Sequence, residues 1–93
     1  MRSADDTIVA IATPQGEGGI AVLRLSGSSA FAVGKRVFRP ASRSAPPVEQ
    51  MGGYTVHYGQ ILDPLTQSPL DDGLLTSFRA PHSYTGEDCL EIS

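Results

Sequence analysis

Apolar residues along this chain come in short runs separated by glycine, proline and serine, which predicts strands and little helix. Thr7 to Thr13 is β-branched, brief and apolar on both faces, the pattern of a buried strand. Pro14-Gln15-Gly16-Glu17-Gly18-Gly19 is a turn signal. Ile20 to Leu25 is a second strand, apolar on both faces except at Arg24, and the two strands predict a hairpin. Ser26-Gly27-Ser28-Ser29 offers N-cap candidates. Behind it Ala30, Val33, Gly34, Val37 and Phe38 fall on one face of an amphipathic helix. Lys35 and Arg36 lie off that stripe near the C-terminal end, where cations suit the helix dipole. Pro40 stops the helix.

Residues 39 to 53 read as loop. From Tyr54 the chain alternates, with Tyr54, Val56 and Tyr58 on one face and Thr55, His57 and Gly59 on the other. This third strand reaches Leu62. Asp63 to Pro69 is a loop, Gly73 to Arg79 a fourth strand, Ala80 to Asp88 a loop, and Cys89 to Ser93 a fifth strand. Thr85-x-x-Asp88 also fits a capping box, so a helix competes with that last strand. The predicted order is β-β-α-β-β-β, an α+β domain with a mixed sheet and one or more packed helices.

Length and charge narrow the classes. Ninety-three residues fit one domain, residues 1–93, with a single modest core. Apolar residues at 40% and charged residues at 18% mark a globular chain. A formal charge of −3 without a basic cluster leaves no footprint for nucleic-acid phosphates, DNA included. One cysteine, Cys89, excludes an intrachain disulfide and a multi-cysteine zinc site. Asp5 and Asp6 precede a short apolar run, which is no signal peptide. No apolar stretch approaches the roughly 20 residues of a membrane span. The reading is therefore cytoplasmic, without a membrane partner. The chain stops inside a predicted strand, which reads as a C-terminal truncation.

The glycines invite a nucleotide reading that fails on chemistry. Gly16-Glu17-Gly18-Gly19-Ile20-Ala21 satisfies G-x-G-x-x-A, but a dinucleotide site needs a helix N-terminus directly after the glycines. A β-branched strand follows instead. Gly34-Lys35 fails as a Walker A loop, because Ser29 takes the first glycine's place and Arg36 that of the Ser/Thr.

Two charges sit where strands disfavour them. Arg24 shares a face with Ile20 and Val22, opposite Ala21, Leu23 and Leu25. Glu91 shares one with Cys89, opposite Leu90 and Ile92. An unpaired buried charge is very costly. Either these side chains lie on a solvated sheet face or pair with each other, or they form a ligand site. In the second case Arg24 meets an anion and Glu91 accepts paired N–H bonds. His57 reads as a half-buried strand residue, His82 as a loop residue without metal-ligand partners, and Cys89 as a small buried apolar group. Tyr84 either stacks on a planar ligand or anchors its loop. No Ser/His/Asp set and no close carboxylate pair stands out, so the chemistry is that of a binding module.

Two stretches carry a family resemblance. Asp6-Thr7-Ile8-Val9-Ala10-Ile11-Ala12-Thr13-Pro14, continuing through Gly16-x-Gly18-Gly19 to Arg24-Leu25-Ser26-Gly27, resembles the opening of the MnmE (TrmE) tRNA-modification GTPases. Pro81-His82-Ser83-Tyr84-Thr85-Gly86-Glu87-Asp88-Cys89-Leu90-Glu91-Ile92 is similar to that family's P-x-S-[YF]-T-G-E-D-x-[VL]-E-[IL] signature. A His-Gly-Gly run usually follows in the family, beyond Ser93 here.

The resemblance implies a fold similar to the folate-binding unit of the glycine-cleavage T-protein, a β₂-α-β₃-α unit here missing its last helix. It implies 5-formyltetrahydrofolate or another one-carbon tetrahydrofolate as ligand, with Arg24 and Glu91 matching folate-contacting positions. Position 17, often basic in the family, is Glu here, and no contact is carried over to it. It further implies homodimerisation through this domain. The longer protein it implies is a GTPase using GTP, Mg²⁺ and K⁺, which works with the FAD-dependent partner MnmG. Together they install an aminomethyl or carboxymethylaminomethyl group on C5 of the wobble uridine of certain tRNAs. The GTPase and helical domains are absent from these residues, so no catalytic activity is expected of this piece alone. A structural dimerisation domain without folate binding is the alternative.

Overall fold

Short apolar strands and one amphipathic helix assemble into an antiparallel sheet covered on one face. The computed structural model describes residues 8–11, 22–83 and 86–93. The elements are β1 (Ile8–Ile11), β2 (Leu23–Ser26), α1 (Ala30–Val37), β3 (Phe38–Pro40), β4 (Thr55–Leu62), β5 (Pro69–Phe78) and β6 (Cys89–Ile92), with a 3-10 turn at Val48–Gln50. The six strands stand in the order β1-β2-β6-β5-β4-β3, and every neighbouring pair is antiparallel. The expected mixed sheet is corrected. α1 carries the chain from β2 to the far edge of the sheet, so β2 and β3 never pair and no parallel ladder arises.

β3 is a strand that the sequence pattern reads as loop. The helix ends at Val37, and Phe38 passes straight into extended backbone with φ −143° and ψ 135°. Pro40 is tolerated because β3 is an edge strand, where a missing N–H leaves the ladder intact. Phe38 is therefore buried from a strand, not from the helical stripe. β5 begins at Pro69 rather than Gly73. Cys89 to Ile92 is strand, which decides against the capping-box helix. The Pro14–Gly19 turn, the outer ends of the first hairpin, Tyr84 and Thr85 lie outside the described residues.

Register sorts the side chains. Leu25 stands opposite Leu90 and Leu75 opposite Ile92, and these four meet Ala30 and Phe31 of α1, Phe38, Val48 and Met51 in one core. Each large side chain so buried contributes about 2 kcal/mol. Gly34 permits the close approach of helix to sheet, since a Cβ there would collide with the Leu90 side chain and stand 3.2 Å from Val48 Cγ1.

The opposite face of the sheet is exposed along β4, while Ser26 and Cys89 on that face are buried. Tyr54, Val56 and Tyr58 share one face as the alternation predicts, but that face points outward, with all three exposed. The inward positions of β4 include Gly59, which leaves room for the Phe38 ring. Among the described residues no helix is long and apolar enough to cross a membrane.

Candidate functional site

Antiparallel pairing of β2 with β6 sets Arg24 directly opposite Glu91. Glu91 in turn faces Thr76 of β5, and Thr76 faces Val56 of β4. This row lies on the open face, because Leu25, Leu90 and Ile92 take the helix side. The Arg24 guanidinium donates to Glu91 Oε1 from its terminal nitrogen at 2.9 Å and from Nε at 3.3 Å. Both bonds converge on one oxygen. Among the described residues the second oxygen, Oε2, accepts no hydrogen bond. The side chains are 29% and 19% exposed. The pair is thus held at the surface of the sheet, with enough burial to strengthen further charge-assisted bonds.

The next row carries Ser26, Cys89 and Phe78, each opposite the next. Ser26 donates its hydroxyl to Glu87 Oε2 at 3.2 Å. Burial pushes the Cys89 thiol up, with the Arg24 guanidinium pulling it back down and the Glu91 carboxylate raising it. A buried thiol kept protonated is a poor nucleophile. Native protein at pH 8 should therefore be alkylated by iodoacetamide at least about 100-fold more slowly than urea-unfolded protein. Mass spectrometry of quenched samples measures this, and rates within about tenfold would contradict the buried placement.

The connection from β5 to β6 is fixed by its acidic residues. Asp88 accepts the Ala80 N–H at 3.0 Å and the Arg79 guanidinium at 3.2 Å, while its carbonyl accepts the Gly27 N–H at 3.0 Å. Ser83 donates its hydroxyl to the Glu87 carbonyl. Arg79 also donates to the carbonyls of Met51 and Glu49 and lies 3.5 Å from the Phe31 ring centroid. One arginine therefore ties the helix, the 3-10 turn and the connection together. Sequence reasoning assigned Arg79 no role, and placed Glu87 and Asp88 only in the family signature and Asp88 in a capping box, because their partners Ser26, Arg79 and Ala80 are set by tertiary packing.

Of the residues singled out from the sequence, the structure brings Arg24 and Glu91 together. His57 is half-buried on the helix-covered side of β4. His82 lines a cavity of about 290 Å³ with Tyr54, Phe78, Pro81 and Ser83. A second cavity, about 270 Å³ and almost wholly apolar, runs beside α1 between Leu23, Leu25, Val33, Val37, Ile61, Leu62, Leu70 and Ile92. Glu17 and Tyr84 lie outside the described residues.

The family model of the GTP-binding protein TrmE N-terminus matches residues 7–93. The chain belongs to this family. It is 48% identical over 89 residues to a tRNA modification GTPase MnmE of Moorella thermoacetica, covering 96% of this chain and 19% of that protein. A protein of the same name from Levilactobacillus brevis is 48% identical over 88 residues, covering 95% of this chain and 18% of its own length. One from Carboxydothermus hydrogenoformans is 46% identical over 89 residues, with coverages of 96% and 19%. The chain thus spans about a fifth of the curated relatives it matches. The TrmE N-terminal match takes in both motifs that carried the resemblance from Thr7 onward, and with them Arg24 and Glu91.

Proposed function

We propose that this TrmE N-terminal domain binds 5-formyltetrahydrofolate, or another one-carbon tetrahydrofolate, on the open face of its sheet. The observation that carries the reading is the Arg24–Glu91 pair, held across β2 and β6 on that face. A pterin edge presents adjacent N–H donors, and a carboxylate such as Glu91 accepts them in pairs. Arg24 fixes the carboxylate from one side, and its guanidinium suits a carbonyl or carboxylate of the ligand.

The same face favours homodimerisation. Val56 and Tyr58 are 60% and 55% exposed, and contiguous apolar surface of this kind marks an interaction site. A second copy is the partner that the family resemblance implies. The apolar cavity beside α1 supports the T-protein-like reading, since it offers a further helix of the longer protein, the last of that unit, an apolar groove to fill. In that protein the domain would serve a cytoplasmic GTPase using GTP, Mg²⁺ and K⁺. With the FAD-dependent partner MnmG, it would modify the wobble uridine of certain tRNAs.

The test is a thermal melt of the full-length protein with and without 5-formyltetrahydrofolate, alongside sedimentation equilibrium. Saturating folate should raise the melting temperature of the transition that contains this domain, because it binds the native state alone. A dimer that shows no folate response would select the structural alternative, which the exposed apolar face also supports.

A further inference from the structure

Charge is distributed unevenly along this chain and over its fold. Lys35, Arg36, Arg39 and Arg43 are four of the seven basic residues, and no acidic residue lies between Glu17 and Glu49. The fold gathers these four at one edge of the sheet. Lys35 and Arg36 stand in the last turn of α1, Arg39 in β3, the outermost strand, and Arg43 in the turn that follows. All four are exposed.

Two of these cations are engaged within the domain. Lys35 Nζ lies 3.1 Å from Glu49 Oε1, and the Arg36 guanidinium donates to Pro64 O at 2.6 Å. Arg39 and Arg43 have no side-chain hydrogen bond or ion pair among the described residues. Phe38 is buried in the core, so strand alternation turns Arg39 to the exposed face, opposite Gln60. Gln60 separates it from Asp72, the acidic residue of that row. Beyond β3, the Ala41 N–H donates to Tyr58 O at 2.9 Å and the Ala45 N–H to Ser42 O at 3.2 Å. The Ser42 hydroxyl accepts the Ser44 N–H at 3.2 Å and lies 2.8 Å from the Ser44 hydroxyl. The turn therefore presents Arg43 between two hydroxyl groups.

This chemistry suits a phosphodiester backbone. A guanidinium donates parallel N–H bonds to phosphate oxygens, and serine hydroxyls add donors beside it. A protein partner would need an apolar centre, whereas no large apolar side chain between residues 35 and 53 is exposed.

We propose that the β3 edge contacts an RNA backbone, with Arg39 and Arg43 each neutralising one phosphate and Lys35 and Arg36 adding to the local positive field. That the nucleic acid is RNA, and a tRNA, rests on the function proposed above; the phosphate contact rests on the edge itself. The net charge of −3 does not oppose it, because exposed charges more than roughly 8 Å apart are largely screened at physiological salt.

Fluorescence anisotropy of full-length protein with a labelled tRNA transcript and with poly(U), from about 50 to about 200 mM KCl, tests this. Replacing Arg39→Ala and Arg43→Ala together should lower the slope of log K against log salt by about 1.4, from two contacts at about 0.7 each. Binding should weaken about tenfold at ~200 mM salt. Arg39→Lys with Arg43→Lys keeps both charges and should stay within about threefold of the parent. Both positions are exposed, so neither double variant should shift the melting temperature by more than about 3 °C. The rise in melting temperature with folate should be the same in all three proteins, which separates this test from the folate reading. Parent-like RNA affinity and slope in the alanine variant overturn the contact and leave the charges as guards of an edge strand. Unchanged RNA binding with lost co-sedimentation of the FAD-dependent partner also overturns it, making the edge a protein-docking surface. A loss for poly(U) alone keeps the RNA contact and rejects tRNA as its occupant.

Discussion

Replacing Glu91→Gln should lower the affinity for 5-formyltetrahydrofolate about 100-fold and shift the unfolding midpoint by only a few degrees. The carboxylate accepts N–H donors as an anion, and hydrogen bonds to charged groups contribute about 1.5–3 kcal/mol each. The amide keeps one acceptor and turns an N–H toward the ligand's own donors. The fold loses less. The amide oxygen of the variant can still accept from Arg24, whose side chain is 29% exposed, and a partly solvated ion pair contributes about 1 kcal/mol or less. Calorimetry and a thermal melt on the same preparation separate the two effects. Unchanged affinity removes Glu91 from the site. Parallel collapse of affinity and stability makes it a structural residue.

Gly59→Ala should destabilise the domain by about 3 kcal/mol, near the upper end for overpacked cores. Gly59 is buried in β4, between Pro40 of β3 and Gly73 of β5. A Cβ there would run into the Arg39 carbonyl oxygen, and would lie 2.9 Å from its carbon and 2.8 Å from Phe38 Cζ. Backbone cannot swing aside as a side chain can, so β3 must lift from the sheet and draw Phe38 out of the core. A drop in the melting temperature of about 15 °C corresponds to that loss in a domain of this size. Gly52→Ala is the control, because a Cβ there meets nothing within 4 Å. Equal stability of the two variants, read from urea unfolding, would refute the packing argument.

The parts of the fold legible in the sequence are those set by local pattern. Period-two alternation marks β4, and the helical stripe marks α1. Alternation around Arg24 and Glu91 places each charge opposite its apolar neighbours, as the register bears out. What that pattern lacks is direction. Tyr54, Val56 and Tyr58 are visible as one face, but whether that face meets helix or solvent depends on where α1 lands. The antiparallel order and β3 were hidden for the same reason. Phe38 continues the helical spacing, and its pairing with Ile61 and packing beside Gly59 hold it in a strand. The Arg24–Glu91 contact is set by pairing between strands 67 residues apart. The pairing was one of the readings left open, and the register, not the residue types, decides it.

The sheet order has a consequence for how the domain is made. β6, the last of the six described strands in sequence order, lies in the middle, joining β2 on one side to β5 on the other. Until it arrives, β1 and β2 form one hairpin and β3 to β5 another ribbon, with no strand-to-strand bond between the halves. A ribosome must therefore release residues 89–92 before the sheet can close, so the domain cannot gain its cooperativity progressively during synthesis. Its folding barrier is dominated by one late, long-range docking event.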